Sequence, residues 1–361
     1  MNVTRIDVPN ERGLYTVLIG AGLISTLPAR LDEHRLGRSS VVVSCPPVWR
    51  MHGSKLRDVP AAQEPVIIPD GERAKRLATV TRIYDAMVDR RLDRSSTLIA
   101  FGGGVVGDVG GFAAATYLRG IRLVQIPTTL LAQVDSAIGG KVGVNLAAGK
   151  NLVGSFHPPA LVLCDPELLR TLPRREFRAG LYEVVKYGVI RSRPLFDRVS
   201  SHLPAIFGHD LSVLAPIIAE CCQIKADVVI ADERDAGPRR VLNFGHTIGH
   251  ALEAITNYRR FRHGEAIGYG MLAAAHISAA RGALSEDDQA RLTALLTQMG
   301  PLPLVADLRI KDALDAISLD KKVVNGRLHF VLAQGLGATA IVNDVTTKEL
   351  GTAMKVLGLR V

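Results

Sequence analysis

Residues 97–112 read TLIAFGGGVVGDVGGF: five residues with strand character, Thr97–Phe101, run straight into Gly102-Gly103-Gly104-Val105-Val106-Gly107-Asp108. A short β-rich run with no polar face suits a strand covered on both sides, as in a parallel sheet. Glycines at its carboxyl end permit positive φ and remove the Cβ, so backbone N–H groups can approach an anion, and a helix start behind them adds partial positive charge. The letters satisfy GxGxxG, yet no Asp or Glu occurs between Asp108 and Asp135, where the usual acidic ribose partner would stand. The loop therefore reads as a nucleotide-binding turn without the ordinary dinucleotide fingerprint, against the alternative of a tight turn with close helix contact.

Outward from this stretch, similar runs recur at Tyr15–Ile19, Val41–Val43, Val66–Ile68, Leu123–Ile126 and Leu161–Leu163, each followed by a helical or turn segment. That alternation predicts an α/β half with a mainly parallel sheet, which binds ligands at the carboxyl ends of its strands. After Pro173 the pattern becomes helical: Phe177–Ile190, Leu211–Ile230, Thr247–Ile255, Ala266–Ala280, Ser285–Met299 and Ile310–Ser318 have helical length and spacing, with a small hairpin expected from Leu328–Leu332 and Thr339–Val342. At 361 residues the chain exceeds the roughly 250–300 at which one core stops growing. Two domains are expected, 1–173 and 174–361, divided in the proline-bearing stretch DPELLRTLPRR.

Hydrophobic residues make up 47% and charged residues 22%, and no apolar stretch approaches the roughly 18 residues of a membrane span. The N-terminal MNVTRIDVPNERG lacks the apolar centre of a secretory signal, so a cytoplasmic, membrane-free protein is expected. Cys45, Cys164, Cys221 and Cys222 lack CxxC pairing and read as reduced core thiols. The net charge of +9 suits nucleic acid or a pocket for anionic ligands; scattered basic residues and 5% aromatics argue against nucleic acid.

Four groups of residues carry candidate chemistry. Asp70-Gly71-Glu72, with Lys75 one turn on, offers carboxylates to a ribose or, equally, an acidic helix start; Thr128 and Thr129 offer hydroxyls to a nucleotide or cap a helix. Asp135, Lys141, Asn145, Lys150 and Asn151 in VDSAIGGKVGVNLAAGKN can cradle a phosphate or form a solvated loop. His246 and His250 stand four apart, on one face of any helix containing both, which suits a metal, an anion or both; His263 and the Glu183/Lys186 pair in GLYEVVKYG are further ligand and acid–base candidates. Lys225, Asp235, Arg239 and Arg240 could grip a carboxylate, or make surface salt bridges.

The ordered series GGGVVGDVGGF, ATYLRG, QIPTTLLAQVDSAIGGKVGVN, GKNLVGSFHPP, GLYEVVKYG, DERDAG, LNFGHTIGHALE and HGEAIGYGM resembles the 3-dehydroquinate synthase family over about residues 65–330. The resemblance implies a Rossmann-like N-terminal domain, a helical C-terminal domain and an active site in the cleft between them. It implies a divalent metal, zinc or cobalt, on Glu183, His246 and His263, with His250 moved to the substrate phosphate. Lys141, Asn151 and Asn243 become phosphate-side ligands, Lys225 and Arg239 carboxylate partners, Asp135, Lys186 and Asp235 polar parts of the site, and Arg119 a residue reaching across a homodimer interface. NAD contacts are implied for Asp70, Gly71, Glu72, Lys75, Gly104, Val105, Val106, Gly107, Asp108, Thr128, Thr129, Lys141 and Lys150. One departure is Ser44-Cys45, where many relatives carry Asp or Asn able to bond the adenosine ribose. The implied reaction is that of a lyase in aromatic biosynthesis: 3-deoxy-D-arabino-heptulosonate 7-phosphate gives 3-dehydroquinate and phosphate through transient NAD oxidation, elimination, reduction, ring opening and aldol closure. No general base stands out, so the substrate's own phosphate is expected to accept the elimination proton. A related sugar phosphate cyclase, such as 2-deoxy-scyllo-inosose synthase, is the alternative.

Overall fold

Strands that must be buried on both faces need apolar residues at nearly every position, and the predicted runs meet that demand. In the computed structural model, which describes residues 3–361 apart from 12, 37–38, 148, 236, 319–322 and 325–326, they form a seven-stranded sheet. Its strands are β1 (Thr4–Asn10), β2 (Gly13–Ile19), β3 (Ser40–Ser44), β4 (Val66–Ile67), β5 (Thr97–Gly102), β6 (Arg122–Pro127) and β9 (Leu161–Cys164), with a separate hairpin of β7 (Lys141–Leu146) and β8 (Gly149–Phe156). The order is β1-β2-β9-β6-β5-β3-β4, parallel from β2 onward, with β1 antiparallel on the edge. Two apolar layers cover the sheet. One gathers Val41, Val43, Leu98, Ala100 and Leu123 with Val109, Phe112 and Ala113; the other joins Val42, Ile99, Phe101, Val124 and Ile126 to Leu23, Leu27 and Leu31.

The chain divides into two compact units, residues 1–173 with 209–234 and residues 174–208 with 235–361. The uninterrupted division into 1–173 and 174–361 thus needs one amendment: the helix Leu211–Ala231, helical as expected, packs against β1 and β2 and belongs with the sheet. Its apolar residues Leu214, Ile217, Ile218 and Cys222 are fully buried, and a helix settles where such a stripe finds cover. The second unit is built on helices Arg174–Arg191, His246–Ile255 and His263–Ala280, with Glu286–Gln298, Ile310–Ser318 and Thr347–Val356 and the small hairpin Phe330–Gly335/Ala338–Val342 around them. Among the described residues, no helix is long and apolar enough to cross a membrane, and all four cysteines are free and buried.

Candidate active site

In the first unit, β5 ends at Gly102 and the helix Gly104–Thr116 begins at once, capped by Gly103 in an extended conformation. None of the glycines from Gly102 to Gly111 adopts positive φ, so the expectation of left-handed turn glycines is corrected. What the loop uses is the missing Cβ. At Gly107 a Cβ would lie 2.7 Å from the Gln125 Oε1 of β6, which lets the helix start come down onto the sheet with its N–H groups at the strand ends, and at Gly111 one would lie 2.4 Å from a Val142 methyl, which lets the β7–β8 hairpin lie against the helix body.

Around that helix start stand the other candidate nucleotide residues. Lys75 is buried and its ammonium lies 2.5 Å from Asp108; burial pushes the Asp108 carboxyl up in spite of that cation. The short helical turn Glu72–Ala74 is capped by Gly71 at φ 81° with no side-chain bond, so Asp70 is not its N-cap, whereas Glu72 stands in its first turn as an acidic helix start would. The two threonines separate. Thr129 accepts the Ala132 N–H at 3.2 Å, an ordinary cap, whereas the buried Thr128 hydroxyl has no hydrogen-bond partner among the described residues. At the end of β3, Ser44 donates to the Phe101 carbonyl at 2.7 Å, and burial, reinforced by Asp70, pushes the Cys45 thiol up to about 11. Asp135 forms an ion pair with the buried Lys225, which brings the helix Leu211–Ala231 into this group. Lys141 lies exposed at the start of β7, and Arg119, at φ 69°, lines a surface cavity of about 300 Å³ with Asn10, Leu14, Arg94, Arg122 and His157.

The second unit holds the metal-type cluster, and glycines again decide how closely its helices approach. A Cβ on Gly264 would stand 1.9 Å from the Ala179 carbonyl oxygen, and one on Gly270 1.7 Å from that of Gly245. Helix His263–Ala280 can therefore lie directly on both neighbours. The buried Glu265 ties the contact further: Arg175 grips it at 2.8 and 2.7 Å, Arg178 at 3.0 Å, and it accepts the Arg262 N–H at 2.9 Å. Burial would raise its pKa, but these donors hold the carboxyl below its ordinary value.

This framework brings three ligand-type side chains from separate helices to one point. Glu183 is fully buried mid-helix, while His246 and His263 each open a helix. Both Nε2 atoms face Glu183 Oε1, at 3.6 Å for His246 and 3.5 Å for His263. Each opposite nitrogen is engaged: His246 Nδ1 lies 3.0 Å from the Phe244 carbonyl oxygen and His263 Nδ1 3.2 Å from Glu253 Oε2. An Nδ1–H held by an acceptor turns Nε2 inward, the arrangement in which histidine ligates a metal once Nε2 has given up its proton. His250 joins them, since nitrogens of His246, His250 and His263 lie within 4.8 Å of one another. Burial would lower the His263 pKa, but Glu253 and Glu183 overcome it and push it up to about 10. Two nitrogens and a carboxylate oxygen converging at a buried anion fit a divalent cation such as zinc or cobalt.

Lys186, also buried, forms an ion pair with Glu183. Asn243 ends the 3-10 turn Pro238–Asn243 that carries the buried Arg239, and Asp235 sits at φ 59° just ahead of that turn. Glu253 is the residue the sequence reading missed. It follows His246 and His250 at seven and three positions, on the same helix face, and that periodicity is the signal that could have found it.

A sheet unit with a glycine-lined helix start at its strand ends and a helical unit with a carboxylate–imidazole cluster define an α/β protein with a candidate nucleotide-binding end in one unit and a candidate metal cluster in the other. The models of the N-terminal and C-terminal parts of 3-dehydroquinate synthase match residues 65–179 and 180–323, and the chain belongs to the 3-dehydroquinate synthase family. It is 44% identical to the 3-dehydroquinate synthase of Cyanothece sp., over 98% of each chain, and 46% identical to that of Geobacter metallireducens, over 96% of each. Among solved structures it is similar to 2-epi-5-epi-valiolone synthase from Streptomyces hygroscopicus with NAD+ and Zn2+ bound, at 28% identity and a TM-score of 0.84, covering 95% of this chain and 96% of that one. A 2-deoxy-scyllo-inosose synthase complexed with carbaglucose-6-phosphate, NAD+ and Co2+ is 25% identical at a TM-score of 0.84, covering 98% of this chain and all of the other.

Proposed function

We propose that the chain carries out the 3-dehydroquinate synthase reaction, releasing phosphate from 3-deoxy-D-arabino-heptulosonate 7-phosphate and closing the carbocycle, with NAD used and regenerated. The observation that carries the reading is the convergence of Glu183, His246 and His263, from helices far apart in sequence, at one buried point in a chain of this family. Identity of 44–46% with 3-dehydroquinate synthases, against 25% with the inosose synthase, favours this substrate over that of the related cyclase.

Glu183, His246 and His263 would hold a divalent cation. Asp70, Gly71, Glu72, Lys75, Gly104 to Asp108, Thr128, Thr129, Lys141 and Lys150 would hold NAD, the orphaned Thr128 hydroxyl being the buried polar atom that a ligand would satisfy. When bound, these groups supply a reversible hydride acceptor and a Lewis acid for hydroxyl oxygens. The chain's own residues bind and orient. Lys141, Asn151, Asn243 and His250 are assigned to the phosphate, and Lys225 and Arg239 to the carboxylate. Buried Lys186 and half-buried Asp135 each hold a neighbouring ionic group in place. Arg119, exposed on the first unit, is assigned to a homodimer interface, and the substrate is a phosphorylated sugar acid handled in the cytoplasm.

The test is phosphate release from the heptulosonate phosphate with NAD far below substrate concentration, run beside glucose 6-phosphate. Turnover of the first with no lasting NADH is expected. Release from glucose 6-phosphate alone, or NADH accumulating one for one with product, would overturn the proposal.

A further inference from the structure

We propose that Asn145 is a positioning residue that locks Glu72, on the cofactor side, to Asn151, on the substrate side; the roles of those two residues rest on the function proposed above. The hairpin β7–β8 is irregular where both candidate ligands lie. Val144 pairs with Val153 and Leu146 with Gly149, so Lys150, Asn151 and Leu152 stand opposite the single residue Asn145. A bulge of this kind re-aims side chains and is found beside active sites. Within it Asn151 takes φ 54°, a left-handed conformation uncommon outside glycine, in which its N–H cannot serve a regular ladder.

Asn145 meets that need and two others. Its side-chain oxygen accepts the Asn151 N–H at 2.8 Å, its amide nitrogen donates to Glu72 Oε1 at 2.7 Å, and its own backbone N–H donates to the Lys75 carbonyl at 2.8 Å. Lys150, on the same bulge, brings its ammonium to 3.8 Å from that Glu72 oxygen. The carboxamide thus uses an acceptor toward the bulge and a donor toward the Asp70-Gly71-Glu72 turn, and neither Asp nor Leu could do both. Displacing Glu72 from Asn145 displaces Asn151, so contacts on one ligand fix the geometry offered to the other.

The donor–acceptor polarity makes this testable by exchange. In Asn145→Asp the acceptor toward Asn151 survives while the donor toward Glu72 becomes a second carboxylate; in Glu72→Gln the partner gains an amide that can donate to Asp at 145. Calorimetric NAD binding is expected to weaken about tenfold in Asn145→Asp. In the double variant the loss should be about tenfold smaller than the product of the two single losses; losses that simply multiply overturn the proposal. Hydrogen exchange of residues 149–153 in the ligand-free protein gives a readout that needs no activity: about tenfold faster exchange in Asn145→Ala, with an unchanged melting temperature, supports the lock, and unaltered exchange overturns it. Should the wild-type protein fail to bind NAD, the assigned function falls, and the exchange result still decides whether Asn145 holds Asn151.

Discussion

Replacing Glu253 by glutamine tests the metal cluster at its least obvious member. Glu253 is 6% exposed, and its Oε2 lies 3.2 Å from His263 Nδ1. Glutamine preserves length and an acceptor oxygen, so the imidazole keeps its tautomer, but the negative charge that makes the ring a stronger donor is lost. Outer-shell partners of this type are worth roughly 10–100-fold in metal affinity. With the acceptor retained, Glu253→Gln belongs at the lower end, about tenfold or ~1.4 kcal/mol, and Glu253→Ala, which loses acceptor and charge together, near the upper end. The assay is competition for cobalt(II) against a chelator, followed by visible absorption, with melting curves to confirm that each variant is folded. Wild-type affinity in Glu253→Gln, alongside lost affinity in Glu183→Gln, would refute the role given to Glu253. Wild-type affinity in both would move the cation elsewhere.

Gly264→Ala should force the helix His263–Ala280 off the helix carrying Glu183, because the new Cβ would meet the Ala179 carbonyl oxygen at 1.9 Å. A loss of about 1–3 kcal/mol in unfolding free energy is expected, together with weaker cation binding; an unchanged denaturant midpoint would contradict the close-contact argument. Glu349 supplies a pH prediction. The Arg281 guanidinium, assisted by the Thr346 N–H, holds its carboxyl at about 2 against an ordinary 4.5. A depressed pKa means its contribution to stability is complete above pH 4.5 and is lost as pH falls toward 2, so Glu349→Gln should flatten that part of the acid limb of stability and cause a pH-independent loss above it.

The sheet was legible because burial on both faces leaves a signature: every one of the apolar runs from Tyr15–Ile19 to Leu161–Leu163 became a strand of it. β1 lacks that signature: Arg5, Asp7 and Pro9 alternate with Ile6 and Val8, the period-2 pattern of an edge strand covered on one face, which differs from a continuous apolar run. The hairpin β7–β8 carries only the mark of an amide-rich phosphate or loop segment, because its glycines and bulge hide the strand period. In the site, spacing alone pointed to His246 with His250, whereas the structure sets Glu183, His246 and His263 around one point and adds His250 beside them. Separation along the chain carries no distance in space, so Glu183, more than sixty residues before His246, was reachable only through family resemblance. Glu253 has a local signal in its helical spacing, but carboxylates on helices are common and the spacing alone does not single it out.

The late arrival of helix Leu211–Ala231 in the sheet unit bears on how the protein is made. A ribosome emits residues 1–173 well before this helix, so for some 40–60 residues of synthesis β1, β2 and the Asp135 turn wait without the segment that covers them and without Lys225. The sheet half is therefore not an independently finished module, and a fragment cut after Pro173 would present that bare surface to other chains. Excising the two halves for separate study calls for a graft of residues 209–234 onto the first, and swapping domains between relatives has to carry that helix along.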